Sequence, residues 1–277
     1  MSFDGRLRVI VTRWHLWRAV VLAVILVPSA FAGTWRSFST QEFDVVGDAS
    51  LSDMRRTVAD IETYRFILQK LVPRLAKPSP TRPRLFILSH SSFRDYVQPG
   101  PDVLGLTSPR PFSIDVVVDA NASDWLSSSV ILQHELTHYY LHQNFPSVLP
   151  TWFDEGIAEL FSTVDRKAGF ATFGKPSAAR WYSLQALPWM PLEKFITLDV
   201  DVDRKRSSEM EAFYAQAWLL MHYTYVAEPK RLADVQRVLD YQNQGWAAAD
   251  ALRQSFPENL AEFESKLKAY SSAQQYR

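Results

Sequence analysis

Five consecutive residues, His134-Glu135-Leu136-Thr137-His138, combine two imidazoles and a carboxylate at a spacing suited to metal chemistry. Residues four apart on a helix share a face one turn apart, so both imidazoles can reach a single ion. Glu135, next along the helix, can reach a water on that ion without being a ligand. The plainer alternative is two histidines on an exposed face with a solvated glutamate between them. The neighbours Val130, Ile131, Leu132, Tyr139 and Tyr140 argue against it. They make the helix largely buried, and a buried His-Glu-His cluster needs a partner to offset its desolvation.

Glu155 lies 17 positions after His138, which leaves room for one helix to end and a second to present a carboxylate. Pro150 suits the opening of that second helix, where a missing N–H costs nothing. Gly156, directly after the proposed ligand, leaves space for two helices to approach closely around the ion. Glu159, one turn beyond Glu155, is placed to accept the second ring N–H of a metal-bound histidine. A catalytic zinc takes three protein ligands and keeps one position for water. The chain has no cysteine, so thiolate ligands and a cysteine nucleophile are excluded, and any metal falls to histidine and carboxylate. The expected centre is one Zn2+ held by His134, His138 and Glu155.

The pairing of HELTH (134–138) with WFDEGIAE (152–159) resembles the gluzincin zinc metallopeptidases, most closely the bacterial peptidase MA-like family. The likeness covers about 26 residues, extends to the helix from 208, and is loose over the first 120. It implies a zincin-like fold, His134, His138 and Glu155 as ligands, Glu135 as general base and Glu159 behind the first histidine. It further implies that Tyr214, within Phe213-Tyr214-Ala215-Gln216-Ala217-Trp218, donates a hydrogen bond to the oxyanion. The alternative for Tyr214, Trp218 and Met221 is the buried stripe of an amphipathic helix. Two departures stand out: Asp154 where relatives often have Asn, and Gln216-Ala217 where they have Lys-Gly. Edge-strand pairing with an extended peptide falls, by the same likeness, to residues 112–119.

Other candidates are weaker. His142 is one turn beyond His138, but the Tyr139-Tyr140-Leu141 spacer lacks the glycine a metzincin needs to bend its chain. His222 reads as a core or surface residue rather than a carbonyl polariser, and His90 as structural. Neither a phosphate-binding glycine loop nor a Gly-x-Ser-x-Gly elbow is present.

The elements that position these residues read as α+β: an α/β part over 33–121 with its sheet, then a mainly helical part over 122–277 carrying the zinc site. Strands are expected at 42–47, 84–88 and 112–119, with an amphipathic helix over 50–75 capped by Ser52 or Asp53. A short helix is expected at 91–97 and a Pro- and Gly-rich loop at 98–111. Helices follow at 125–144, 150–164, 191–198, 208–226, 229–241, 246–254 and 257–270. Residues 165–190 read as irregular, and 165–207 as a lid.

Residues 1–32 stand apart. Arg6, Arg8, Arg13 and Arg18 precede the apolar run 19–27, and Ala30-Phe31-Ala32 offers a cleavage pattern, the order of a secretory signal. Cleavage would leave a domain at 33–277 with 26 basic and 29 acidic residues, exported to the periplasm or secreted. The alternative is an inner-membrane anchor through residues 9–32, the sole membrane contact expected. The whole chain has 30 basic and 30 acidic residues, without the basic excess a nucleic-acid partner needs. The expected activity is hydrolysis of a peptide or protein substrate. The rivals are a zinc hydrolase of a non-peptide amide or ester, and a non-catalytic, zinc-stabilised binding protein.

Overall fold

A computed structural model describes residues 9–10, 35–72, 82–97, 105–110, 113–120, 128–145, 149–167, 170–198 and 208–273. The expected signal segment, apart from Val9 and Ile10, lies outside the described residues, as does 199–207 of the expected lid. The protein is a mixture of helix and sheet, with the larger sheet in its N-terminal part. Contacts divide it into two compact units, one of Val9–Asn144 with Lys167–Ala171, the other of Phe145–Arg166 and Thr172–Arg277. The motif helix therefore belongs with the sheet, and the division falls at 144/145. Among the described residues, no helix is long and apolar enough to cross a membrane.

In the sheet unit, β1 (Val9–Ile10) pairs antiparallel with Phe170–Ala171, part of β8 (Phe170–Thr172), which follows β7 (Asp165–Lys167). The larger sheet contains β2 (Arg36–Ser39), β3 (Asp44–Gly47), β4 (Arg84–Leu88), β5 (Gly105–Arg110) and β6 (Ser113–Asp119), in the order β2-β3-β4-β6-β5. Its three inner strands are parallel and its two outer strands antiparallel. Parallel strands need a long crossover, and α1 (Leu51–Leu71) supplies the one from β3 to β4. Inner strands are covered on both faces and so read as continuous apolar runs. Leu85, Ile87 and Leu88 on β4, and Val116, Val117 and Val118 on β6, are buried accordingly. Arg84 forks onto the buried carboxylate of Asp115 at 2.8 and 2.9 Å, tying β4 to β6.

Helix α1 begins at Ser50, whose hydroxyl accepts the N–H of Asp53 at 3.1 Å, so the cap lies two residues before the expected Ser52. Its buried stripe is Met54, Ile61, Tyr64, Ile67 and Leu68, the three-and-four spacing of an amphipathic helix. The short α2 (His90–Val97) follows β4. At its start Asp48 accepts from the Ser89 N–H at 2.8 Å and from the hydroxyls of Ser89 and Ser92 at 2.7 and 2.6 Å. Burial acts against this carboxylate, but the hydrogen bonds prevail and hold its pKa below the ordinary value.

Two expectations are corrected here. Residues 98–111 are not wholly loop, because 105–110 form β5. The strand expected at 112–119 is consequently interior, and among the described residues β5 is the edge beyond it. Its glycine and proline concealed β5, yet a proline is tolerated on an outer strand, where one side of the backbone has no partner.

The second unit is built on α4 (Thr151–Phe161) and α7 (Ser208–His222), with α5 (Ala178–Ala186) and α6 (Leu192–Thr197) between them in sequence. A π turn, Tyr223–Ala227, and a 3-10 turn, Pro229–Arg231, lead to α8 (Leu232–Asn243), α9 (Ala248–Ser255) and α10 (Leu260–Ser272). Helix α7 buries residues on every side, from Met210 through His222, as a central core helix must. Trp152, Phe161, Phe195, Phe213, Trp218 and Phe263 fill this core. The stretch read as irregular is structured: β7, β8 and α5 lie within 165–190. The described part of the expected lid also buries Phe173, Met190, Leu192, Phe195 and Ile196. Buried Gln216 fastens it further, accepting the N–H of Met190 at 2.6 Å and donating to its carbonyl at 2.9 Å.

Candidate metal centre

Helix α3 (Ser128–Asn144) carries the motif. It packs on β5, β6 and α1, and the apolar residues around the histidines make that packing. Leu132, Leu136, Tyr139, Tyr140 and Leu141 are buried, and Tyr139 meets Phe43 with ring centroids 6.1 Å apart. Thr137, inside the motif, is fully buried. Its hydroxyl donates to the Gln133 carbonyl at 2.7 Å and shares a 2.6 Å hydrogen bond with the Tyr64 hydroxyl on α1. Burial raises the Tyr64 phenol pKa well above its ordinary value, partly offset by that bond to Thr137. The helix is thus fixed in rotation by a polar pin as well as by apolar contacts.

That rotation leaves His134, Glu135 and His138 half-buried rather than in the core. The Nε2 atoms of the two histidines converge to 3.0 Å, with ring centroids 4.7 Å apart and planes at 78°. Two nitrogens each 2.0–2.1 Å from a tetrahedral zinc stand about 3.3–3.4 Å apart. The imidazole pair is therefore within a few tenths of an ångström of chelating spacing, and the donor set fits zinc. His142 is exposed, its ring centroid 5.9 Å from that of His138.

Helix α4 presents Glu155, half-buried, and Glu159, which is 5% exposed. Pro150 opens the helix in extended backbone at φ −61° and ψ 140°, as its fixed ring geometry favours. Gly156 lies against α7 with no space for a side chain. A Cβ there would fall 2.7 Å from Met221 Cγ and 2.8 Å from the Ala217 carbonyl oxygen. The close approach at this glycine is between α4 and α7, not the expected one around an ion.

Sequence reasoning missed Arg180 on α5. Its guanidinium donates to Glu159 Oε1 at 2.8 Å and to Glu211 Oε2 at 2.9 Å, and lies 4.6 Å from the ring centroid of Tyr214. Burial disfavours its charge, but Glu159 and Glu211 outweigh that and hold its pKa above the ordinary arginine value. The signal that could have found it is local: Ser177, whose hydroxyl accepts from the Arg180 N–H at 3.3 Å, caps a helix-compatible run, Ala178–Ala186. Tyr214 is half-buried on α7, with Phe213 edge-on at 5.8 Å.

His222 is 2% exposed. Its Nδ1 shares a 2.7 Å hydrogen bond with the Tyr270 hydroxyl, and its ring lies 4.9 Å from that of Trp218. Burial lowers its pKa to about 4, so it is a neutral core residue. His90 places Nδ1 2.6 Å from the buried Asp119 carboxylate and joins α2 to the end of β6.

Two groups of described residues offer metal-ligand atoms: His134, His138 and Glu155, and His138, His142 and Asp154. No protein-family model matches the chain and no curated protein matches it significantly, so the likeness to gluzincins stands on the motifs alone.

Proposed function

We propose that this protein is a zinc-dependent metallopeptidase of the gluzincin type, with His134, His138 and Glu155 as ligands and Glu135 as general base. The observation that carries the reading is the convergence of the two Nε2 atoms to 3.0 Å on one helix that also bears Glu135. Without an ion the two nitrogens share one N–H···N hydrogen bond; the Glu135 carboxylate on the same helix favours the metal-binding use of the pair. Glu155, from the helix whose sequence follows the motif at gluzincin spacing, supplies the third ligand. A zinc ion held this way supplies an acidic water and a Lewis acid for the scissile carbonyl.

The chain's own groups do the rest. The Glu135 carboxylate takes a proton from the attacking water and later delivers it to the leaving amine nitrogen. The Tyr214 hydroxyl donates to the oxygen that gains charge in the transition state. Thr137 and Tyr64 fix the rotation of α3, which determines where both imidazoles and Glu135 project.

The test uses the full chain. Elemental analysis should return one zinc per molecule, and the protein should cleave a mixed peptide library. Glu135→Gln should keep the zinc and lose cleavage. A wild-type protein without stoichiometric zinc refutes the reading. One that holds zinc but cleaves only esters or non-peptide amides, or nothing at all, refutes its peptidase part.

A further inference from the structure

Arg180 stands where three helices of one unit meet: its own α5, α4 through Glu159, and α7 through Glu211 and Tyr214. Its side chain is 14% exposed. Glu159 is one turn beyond Glu155 on α4, and Glu211 is one turn before Tyr214 on α7. One planar cation thus fixes a side chain on each of two helices and also covers the face of the tyrosine. A salt bridge alone would need only the carboxylates; the ring contact at 4.6 Å adds an attraction that depends on the ring's orientation. Lysine, a point charge with no planar fork, cannot make all three contacts together.

We propose that Arg180 is a positioning residue for peptide hydrolysis, holding the Tyr214 phenol ready to donate to the oxyanion and in fixed register with the turn that carries Glu155. This rests on the peptidase reading above. The guanidinium also draws electron density from the ring and strengthens the hydroxyl as a donor. Arg180 touches no reacting atom; it acts through Tyr214.

The test compares full-length wild type, Arg180→Met, Arg180→Lys, Tyr214→Phe and the Arg180→Met/Tyr214→Phe double variant on the best library peptide. Tyr214→Phe should lower kcat by about a hundredfold, the loss typical of one oxyanion donor. Arg180→Met should lower kcat by about ten- to a hundredfold, as a displaced catalytic group does, with KM changed less than about twofold and zinc retained. Arg180→Lys should not restore the rate, and the double variant should be no slower than Tyr214→Phe alone. Losses that multiply in full, or an unchanged kcat in Arg180→Met, overturn the inference.

A second readout is independent of turnover. In protein labelled with 3-fluorotyrosine, the 19F resonance that disappears in Tyr214→Phe should shift in Arg180→Met. If that line shifts while wild type cleaves no peptide, the peptidase reading fails and the Arg180–Tyr214 coupling survives. If wild type cleaves peptides and the line stays put, the inference alone fails. Should Arg180→Met not fold, Glu211→Gln, at the 55% exposed end of the network, should loosen the same guanidinium. It should give a smaller kcat loss in the same direction; no loss overturns the inference.

Discussion

Replacing Gly156 with alanine tests the contact between α4 and α7. The added Cβ would stand 2.7 Å from Met221 Cγ and 2.8 Å from the Ala217 carbonyl oxygen. Both are well inside van der Waals distance, and the carbonyl belongs to a buried helix that cannot move alone. Overpacking of this kind costs about 1–3 kcal/mol. Alanine recovers up to about 1 kcal/mol through its better helix propensity. The net expectation is a loss centred on about 1 kcal/mol and reaching about 2 kcal/mol, or about 2–4 °C in Tm at the centre for a chain of this size. Urea unfolding at neutral pH, with Tm from calorimetry, measures it. Gly156→Val should lose more, and adding Met221→Ala should relieve only part of the loss, because the carbonyl contact remains. Because Glu155 is the preceding residue, zinc affinity should weaken alongside stability. A Gly156→Ala protein as stable as wild type, or more so, would refute the argument that this glycine exists to let the helices touch.

Thr137→Val should cost about 1–3 kcal/mol, because it leaves the buried Tyr64 hydroxyl without its partner. Adding Tyr64→Phe should restore much of that in urea unfolding. His222 ionises at about 4 in the folded protein against 6.5 for the free side chain, so folding keeps it neutral. Its contribution is complete above pH 6.5 and is lost as pH falls toward 4, about 3 kcal/mol in all. His222→Gln should flatten the fall in stability across that window relative to wild type. His134→Ala should abolish stoichiometric zinc and with it any rise in Tm on adding zinc.

The convergence of His134 and His138 on α3 was legible because its signal is local: a four-residue spacing on a helix fixes which side chains share a face. The apolar runs of β4 and β6 were legible for a similar reason, since strands covered on both sides must be apolar throughout. Partnerships made over long sequence separations were hidden. Nothing in the sequence near Arg180 names Glu159 or Tyr214, and nothing near Thr137 names Tyr64, 73 residues away. Strand β5 was obscured for a different reason, because Gly105 and Pro109 are turn residues by composition and strand residues only by context. By sequence α3 looks like the first of many helices, while its packing is with the strands and α1. Gly156 was read as letting two helices close around the ion, whereas the contact it permits is between α4 and α7.

Strand β5 also bears on how the protein behaves at high concentration. An outermost strand offers a row of backbone groups that a second molecule could adopt, the usual start of ordered aggregation. Here that strand contains Pro109, opposite Ile114, and ends at Arg110, opposite Ser113. A residue without an N–H, followed at once by a charge, makes a poor template for another chain. Pro109→Val would complete the row of donors, and its expected effect is faster fibril or precipitate formation at an unchanged Tm.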